Sequence, residues 1–145
     1  MKNFKLNEKD ILSNQDWTFP TTTYYGPGRF NEIGKFCEEF DIKNPLIVTD
    51  SGSKDLPFIK KLIALLSKNS IKSDLFYNIS PNPRDDEISK GCDQFKNGSH
   101  DSIIAIGGGS AMDGGKSICL TVNSETPLWD FEFEQPVPKI TKENA

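Results

Sequence analysis

Apolar and polar positions along this chain alternate between two periods. Leu46 to Thr49, "LIVT", is an unbroken apolar and β-branched run, the pattern of a short strand buried on both faces. From Lys54 to Ser67 the apolar residues fall instead at Leu56, Ile59, Leu62, Ile63 and Leu66, which is one face of a helix. Pro57 is compatible with that helix because it stands in the first turn. Asp74 to Ile79 predicts a strand, "SPNPR" a turn, and Asp85 to Asn97 a helix with Ile88, Cys92 and Phe95 inward. "SIIAI" from Ser102 is the next strand, and a last helix runs from about Ala111 to Val122. Ahead of this series, "FPTTTYY" (Phe19 to Tyr25) predicts a strand and "GPG" its end. Arg29 to Phe40 then carries Ile33, Phe36, Cys37 and Phe40 at helical spacing, and Asn44-Pro45 stops it. Strand and helix in alternation predict an α/β fold, a parallel sheet with helices on both faces.

The two ends read differently. The first 16 residues are polar and predict a loose segment. "SETPLWDFEFEQPVPKITKENA" is acidic, holds prolines and reaches no further strand, so the glycine-bearing strand would lack a neighbour. The expectation is part of a larger protein.

Composition narrows the class. At 145 residues, 35% apolar and 26% charged, the chain fits one ordinary soluble domain. A net charge of −4 and no Lys/Arg cluster argue against a nucleic-acid-binding face. No segment has the length and apolarity of a signal peptide or a membrane span, which predicts a cytoplasmic protein without a membrane partner. Cys37, Cys92 and Cys119 are odd in number and widely spaced, so they predict reduced thiols acting as small buried hydrophobes. The single histidine, His100, lies in the polar stretch "NGSHD" and predicts an exposed loop residue.

The chemistry concentrates in "SIIAIGGGSAMDGGKS", Ser102 to Ser117. Gly107, Gly108 and Gly109 follow a buried strand and precede a helix, where free amides and the helix dipole attract an anion. A Cβ would hold a phosphate away from that backbone, so three glycines exceed what a turn needs. Ser110 is placed both to cap the helix with Asp113, as S-x-x-D, and to donate to a phosphate oxygen. Two phosphate signatures fail here. G-x-G-x-x-G would need glycine at Met112, and the triphosphate loop that ends in Gly-Lys-Ser would need glycine at Ser110. Asp50, closing "LIVTD", sits where ligands bind beyond the carboxyl ends of parallel strands, and an acid there can accept ribose hydroxyls and repel a 2′-phosphate. The alternative for Asp50 is a turn aspartate that caps the next helix. Asp113 and Lys116, three apart, also suit an ion pair. Gly114 and Gly115 are costly inside a helix, which predicts close packing; alanine at Gly115 is expected to fit and a larger residue is not.

"GGGSAMDGGKS" resembles the G-G-G-S-x-x-D-x-x-K motif of the iron-containing (group III) alcohol dehydrogenase family. "FPTTTYYGPGRFNEIG", "LIVTDSGS", "SPNP" and "PLWDFE" resemble further family segments in the same order, so the likeness runs from Trp17 onward. The resemblance implies a Rossmann-like N-terminal domain of a two-domain dehydrogenase, incomplete here over 17–145, with the helical metal-binding domain absent. It implies NAD(P) as cofactor, held by Asp50, Gly107, Gly108, Gly109, Ser110, Asp113 and Lys116. A divalent metal, iron or zinc, is expected only in a full-length enzyme, because family members bind it through one aspartate and three histidines. The implied substrate is a small-molecule alcohol or aldehyde, and assembly is left open between monomer and homodimer. The alternative is a stand-alone nucleotide-binding domain without catalysis.

Overall fold

The computed structural model describes residues 21–132 and 136, together with the backbone of 15–18. Most of the loose N-terminal segment, Phe19 and Pro20 of the first expected strand, and most of the tail after Glu132 lie outside the described residues. The chain divides after Phe40 into two compact units.

In the first unit, β1 (Gln15–Thr18) pairs antiparallel with β2 (Thr22–Tyr25), Gln15 opposite Tyr25. Composition assigned Gln15 and Asp16 to the loose segment; strand pairing, not residue type, recruits them. Gly28 takes a φ of 82° and leads into a 3-10 turn, Arg29–Glu32, and then α1 (Ile33–Glu39). The Arg29 guanidinium lies 4.9 Å from the Tyr24 ring and pairs with Glu32 at 3.2 Å. Phe40, expected on the inner face, is 64% exposed because α1 ends one residue before it.

The second unit is a three-stranded parallel sheet in the order β4-β3-β5. Its elements are β3 (Pro45–Asp50), α2 (Pro57–Lys68), β4 (Asp74–Ile79), α3 (Asp85–Asn97), β5 (Ser102–Ala105) and α4 (Gly109–Thr121). Leu46 stands opposite Asp74 and Ile103, and Val48 opposite Phe76 and Ala105. The central strand is the apolar run of the sequence, since only it needs both faces covered. Leu46 and Val48 pack with Phe76, Ile79, Ile88, Phe95, Ile118 and Val122, the core shared with α3 and α4. Strand alternation turns Ile47 and Thr49 to the opposite face, and right-handed crossovers put α2 there. Its Ile59, Leu62 and Leu66 are buried, whereas Leu56 and Ile63, expected inward, are 42% and 38% exposed. Leu56 precedes the first helical residue, Pro57, so it never joins the helical face.

The amino edge of the sheet is clamped by polar groups. Asp101 Oδ2 accepts the amides of Lys43 at 2.7 Å and Asn44 at 2.9 Å. The Asn44 side chain donates to the carbonyls of Gly98 and Ser99, both at 3.0 Å. His100 is not an exposed loop residue. Its side chain is buried, with Nδ1 3.0 Å from the Asn44 carbonyl oxygen and Nε2 3.4 Å from Asp74 Oδ2. The polar stretch around it gave no sign of this, because its polar neighbours in space, Asn44 just ahead of β3 and Asp74 in β4, are distant in sequence. Cys37 is buried and Cys92 half-buried, but Cys119 is exposed on α4 and is not a core residue. Among the described residues no helix is long and apolar enough to cross a membrane.

Helix α4 approaches the sheet through its glycines. A Cβ at Gly115 would come 2.5 Å from Ala105 Cβ, and one at Gly114 would come 2.7 Å from Ile79 Cδ1. Ala105 has no torsion with which to yield, so the sequence expectation of a tolerated alanine at Gly115 is corrected. Gly115→Ala is expected to lose about 1–3 kcal/mol in urea unfolding, despite the gain in helix propensity, and Gly114→Ala less, since the Ile79 terminus can rotate. An acid-sensitive contribution is also expected at Asp101. Burial raises its carboxyl pKa, but hydrogen bonds from the Lys43 amide, the Ser102 hydroxyl and the Asn44 amide outweigh that and hold it below the ordinary value. Stabilisation of this sign is present above the unfolded-state pKa and disappears as pH falls through the folded one. Asp101→Asn should therefore be less stable than wild type at pH 7, with the difference shrinking in denaturant titrations as pH falls through the lowered folded-state pKa of Asp101.

Candidate functional site

Helices α2 and α4 leave opposite faces of the sheet after the adjacent strands β3 and β5. That divergence opens a crevice at the carboxyl edge, the place where open α/β sheets bind ligands. Two bonds beyond the regular ladder set its walls. The Ile106 amide donates to the Val48 carbonyl at 2.9 Å, and the buried Thr49 hydroxyl donates to the Ile106 carbonyl at 2.7 Å. They hold the end of β3 against the start of the glycine loop.

The three glycines have different reasons to be there. Gly107 has a φ of 143°, and a Cβ on it would come 2.8 Å from Ala111 Cβ, 3.1 Å from Asp50 Oδ2 and 3.4 Å from Thr49 Oγ1. It is required by the protein's own geometry. Cβ atoms on Gly108 and Gly109 would meet nothing within 4 Å. Among the described residues nothing asks those two to be glycine, and the backbone there stands open.

Helix α4 begins at Gly109, with Gly108 as its N-cap and no side-chain cap. Ser110 is thus already inside the first turn, and the expected capping box with Asp113 does not form. The consequence is chemical. The first-turn amides of α4 lack an intrahelical acceptor and a side-chain one, and they carry the positive end of the helix dipole.

Asp50 is half-buried at the end of β3, with its Oδ2 beside Gly107. Its carboxylate is also held by its own loop, as the turn reading anticipated. Oδ1 accepts the amides of Gly52 at 3.0 Å and Ser53 at 2.9 Å, and Oδ2 accepts the Ser53 hydroxyl at 2.8 Å. The structure therefore brings Asp50 and Gly107–Ser110 to one crevice. Asp113 and Lys116 lie further along α4, exposed, and neither makes an ion pair among the described residues, so the expected pairing between them is absent.

Thr49 and Ser53 were not singled out from sequence. A signal for Ser53 existed in its place three residues after a strand-terminal aspartate, the spacing of an aspartate-anchored turn. Thr49 carried none, because its partner is 57 residues away. Among the described residues no group of three or more His, Cys, Asp or Glu side chains could hold a metal ion.

An anion at an uncapped helix start, reached over bare backbone and flanked by a strand-end acid, is the binding geometry of a dinucleotide. Comparison with known proteins points the same way. The family model for iron-containing alcohol dehydrogenases matches residues 20–144. A 1,3-propanediol dehydrogenase of Klebsiella pneumoniae is 28% identical over 136 residues, covering 90% of this chain and 35% of that protein. NADH-dependent butanol dehydrogenase A of Clostridium acetobutylicum is 32% identical over 128 residues, covering 88% of this chain and 32% of that protein. The chain thus spans about a third of the length of the curated relatives it matches.

Among solved structures, the butanol dehydrogenase A of Thermotoga maritima has a TM-score of 0.68 at 22% identity, over 78% of this chain and 30% of that one. It supports the fold. A sulfoacetaldehyde reductase of Bifidobacterium kashiwanohense, solved in complex with NAD+, has a TM-score of 0.67 at 26% identity, over 75% of this chain and 28% of that one. With the family model matched over residues 20–144, the chain belongs to the iron-containing alcohol dehydrogenase family.

Proposed function

We propose that this chain is the dinucleotide-binding part of an NAD(P)-dependent alcohol dehydrogenase for a small alcohol or aldehyde, with NAD(H) as the preferred form. The observation that carries the reading is the open space over Gly108 and Gly109 at an uncapped helix start, beside Asp50. Amides of the Gly107–Ser110 segment would hold the diphosphate, and the Ser110 hydroxyl would add a donor. Asp50 would accept from the adenosine ribose, and its negative charge would repel a 2′-phosphate. Asp113 and Lys116 would border the same helix end. NAD(H) bound there supplies hydride exchange with the alcohol or aldehyde carbon. The butanol dehydrogenase relative is named for NADH, and the sulfoacetaldehyde reductase was solved with NAD+, which supports the choice of cofactor. The metal of the family name finds no ligand set among the described residues, and no step is assigned to it.

The reading separates stability from binding at neighbouring glycines. Alanine at Gly108 or Gly109 should change folding stability by less than about 1 kcal/mol while weakening NADH binding on the order of tenfold. Alanine at Gly107 should lower stability itself. Thermal melts alongside fluorescence titration with NADH check this; full NADH affinity in both the Gly108 and Gly109 variants would remove the phosphate role. Asp50→Asn should weaken NADH and raise the NADPH-to-NADH affinity ratio on the order of tenfold, measured by calorimetry with each nucleotide.

A further inference from the structure

Asp50 does not offer both carboxylate oxygens to the crevice. Oδ1 already accepts two amide hydrogens, from Gly52 at 3.0 Å and Ser53 at 2.9 Å. Oδ2 accepts one hydroxyl, from Ser53 at 2.8 Å. An ionised carboxylate has about four acceptor sites, so among the described residues one remains, and it is on Oδ2. The same oxygen faces the glycine loop: a Cβ on Gly107 would lie 3.1 Å from Oδ2, whereas one on Gly52 would lie 3.2 Å from Oδ1. The free acceptor and the anion-binding loop therefore share one oxygen.

We infer that Ser53 is a positioning residue for nucleotide selection, fixing the Asp50 carboxylate so that Oδ2 alone meets the ribose and accepts its 2′-hydroxyl. This deepens the dinucleotide reading and rests on it. Of the three bonds that hold the carboxylate, only the Ser53 hydroxyl comes from a side chain. Without it, the two amide bonds at Oδ1 persist while Oδ2 is free to swing about them. A loosened carboxylate accepts less well from a ribose hydroxyl. NADPH, whose 2′-position carries a phosphate in place of a donor, has less to lose.

Two measurements on the full chain test the inference. In Ser53→Ala, NADH affinity should fall about three- to tenfold, as expected when one charge-assisted hydrogen bond is weakened rather than lost, with NADPH affinity little changed. Ser53→Thr, which keeps the hydroxyl, should restore the wild-type ratio. Equal losses for both nucleotides would mean a merely structural serine, and an unchanged NADH affinity in a folded Ser53→Ala would mean no role; either overturns the proposal. The wild-type chain supplies an arm that needs no variant. NADH analogues lacking the adenosine 2′- or 3′-hydroxyl should differ, the 2′-deoxy analogue binding several-fold more weakly than the 3′-deoxy one. Equal weakening by both deletions would show a two-oxygen grip and overturn the single-acceptor geometry. Failure of the folded wild-type chain to bind NADH at all would instead defeat the dinucleotide reading, and this inference with it.

Discussion

The parallel pairing of β3 with β5, carried one residue past the regular ladder, is the constraint on which the crevice depends. Backbone pairing ends at Val48 and Ala105, and the Ile106 amide still reaches the Val48 carbonyl. The Thr49 hydroxyl then satisfies the Ile106 carbonyl, a group that would be costly to leave buried without a donor. Because the strand ends cannot part, Asp50 and Gly107 are neighbours, and an acid and a bare loop from distant parts of the chain face one ligand position.

Glycine does three physically different jobs within nine residues. At Gly107 it permits a left-handed φ and makes room for protein atoms, including the Asp50 carboxylate. At Gly108 and Gly109 it leaves the backbone bare, with nothing among the described residues within 4 Å of where a Cβ would stand. At Gly114 and Gly115 it lets α4 lie close on Ile79 and Ala105, which fixes the direction of the helix start. Close packing behind and open backbone in front are coupled, since a helix held further from the sheet would aim its first amides elsewhere.

The two edges of the sheet are built for different ends. At the amino edge, Asp101, Asn44 and His100 Nδ1 bond to one another and to backbone, and the edge is a clamp, with His100 Nε2 left without a hydrogen-bond partner among the described residues. At the carboxyl edge the first amides of α4 have no cap, and Asp50 keeps an acceptor site in reserve. Unused hydrogen-bonding capacity is a cost in a folded chain unless a ligand or solvent meets it. At the carboxyl edge that capacity faces the crevice.

Periodicity alone determined the element series from β3 to α4, because a doubly buried strand and a one-sided helix need incompatible spacings of apolar residues. The β4 and α3 limits match the expected ones, while α2 starts later and α4 earlier, since caps depend on turn geometry that apolar spacing does not encode. The glycine loop and Asp50 were legible as residues, through motif spacing and position at strand ends. Whether Ser110 caps the helix, how far His100 is buried, what Gly115 touches and which oxygen of Asp50 is free were decided by tertiary structure. Each depends on an atom contributed by another element, and a local pattern in one segment holds no record of what packs against it.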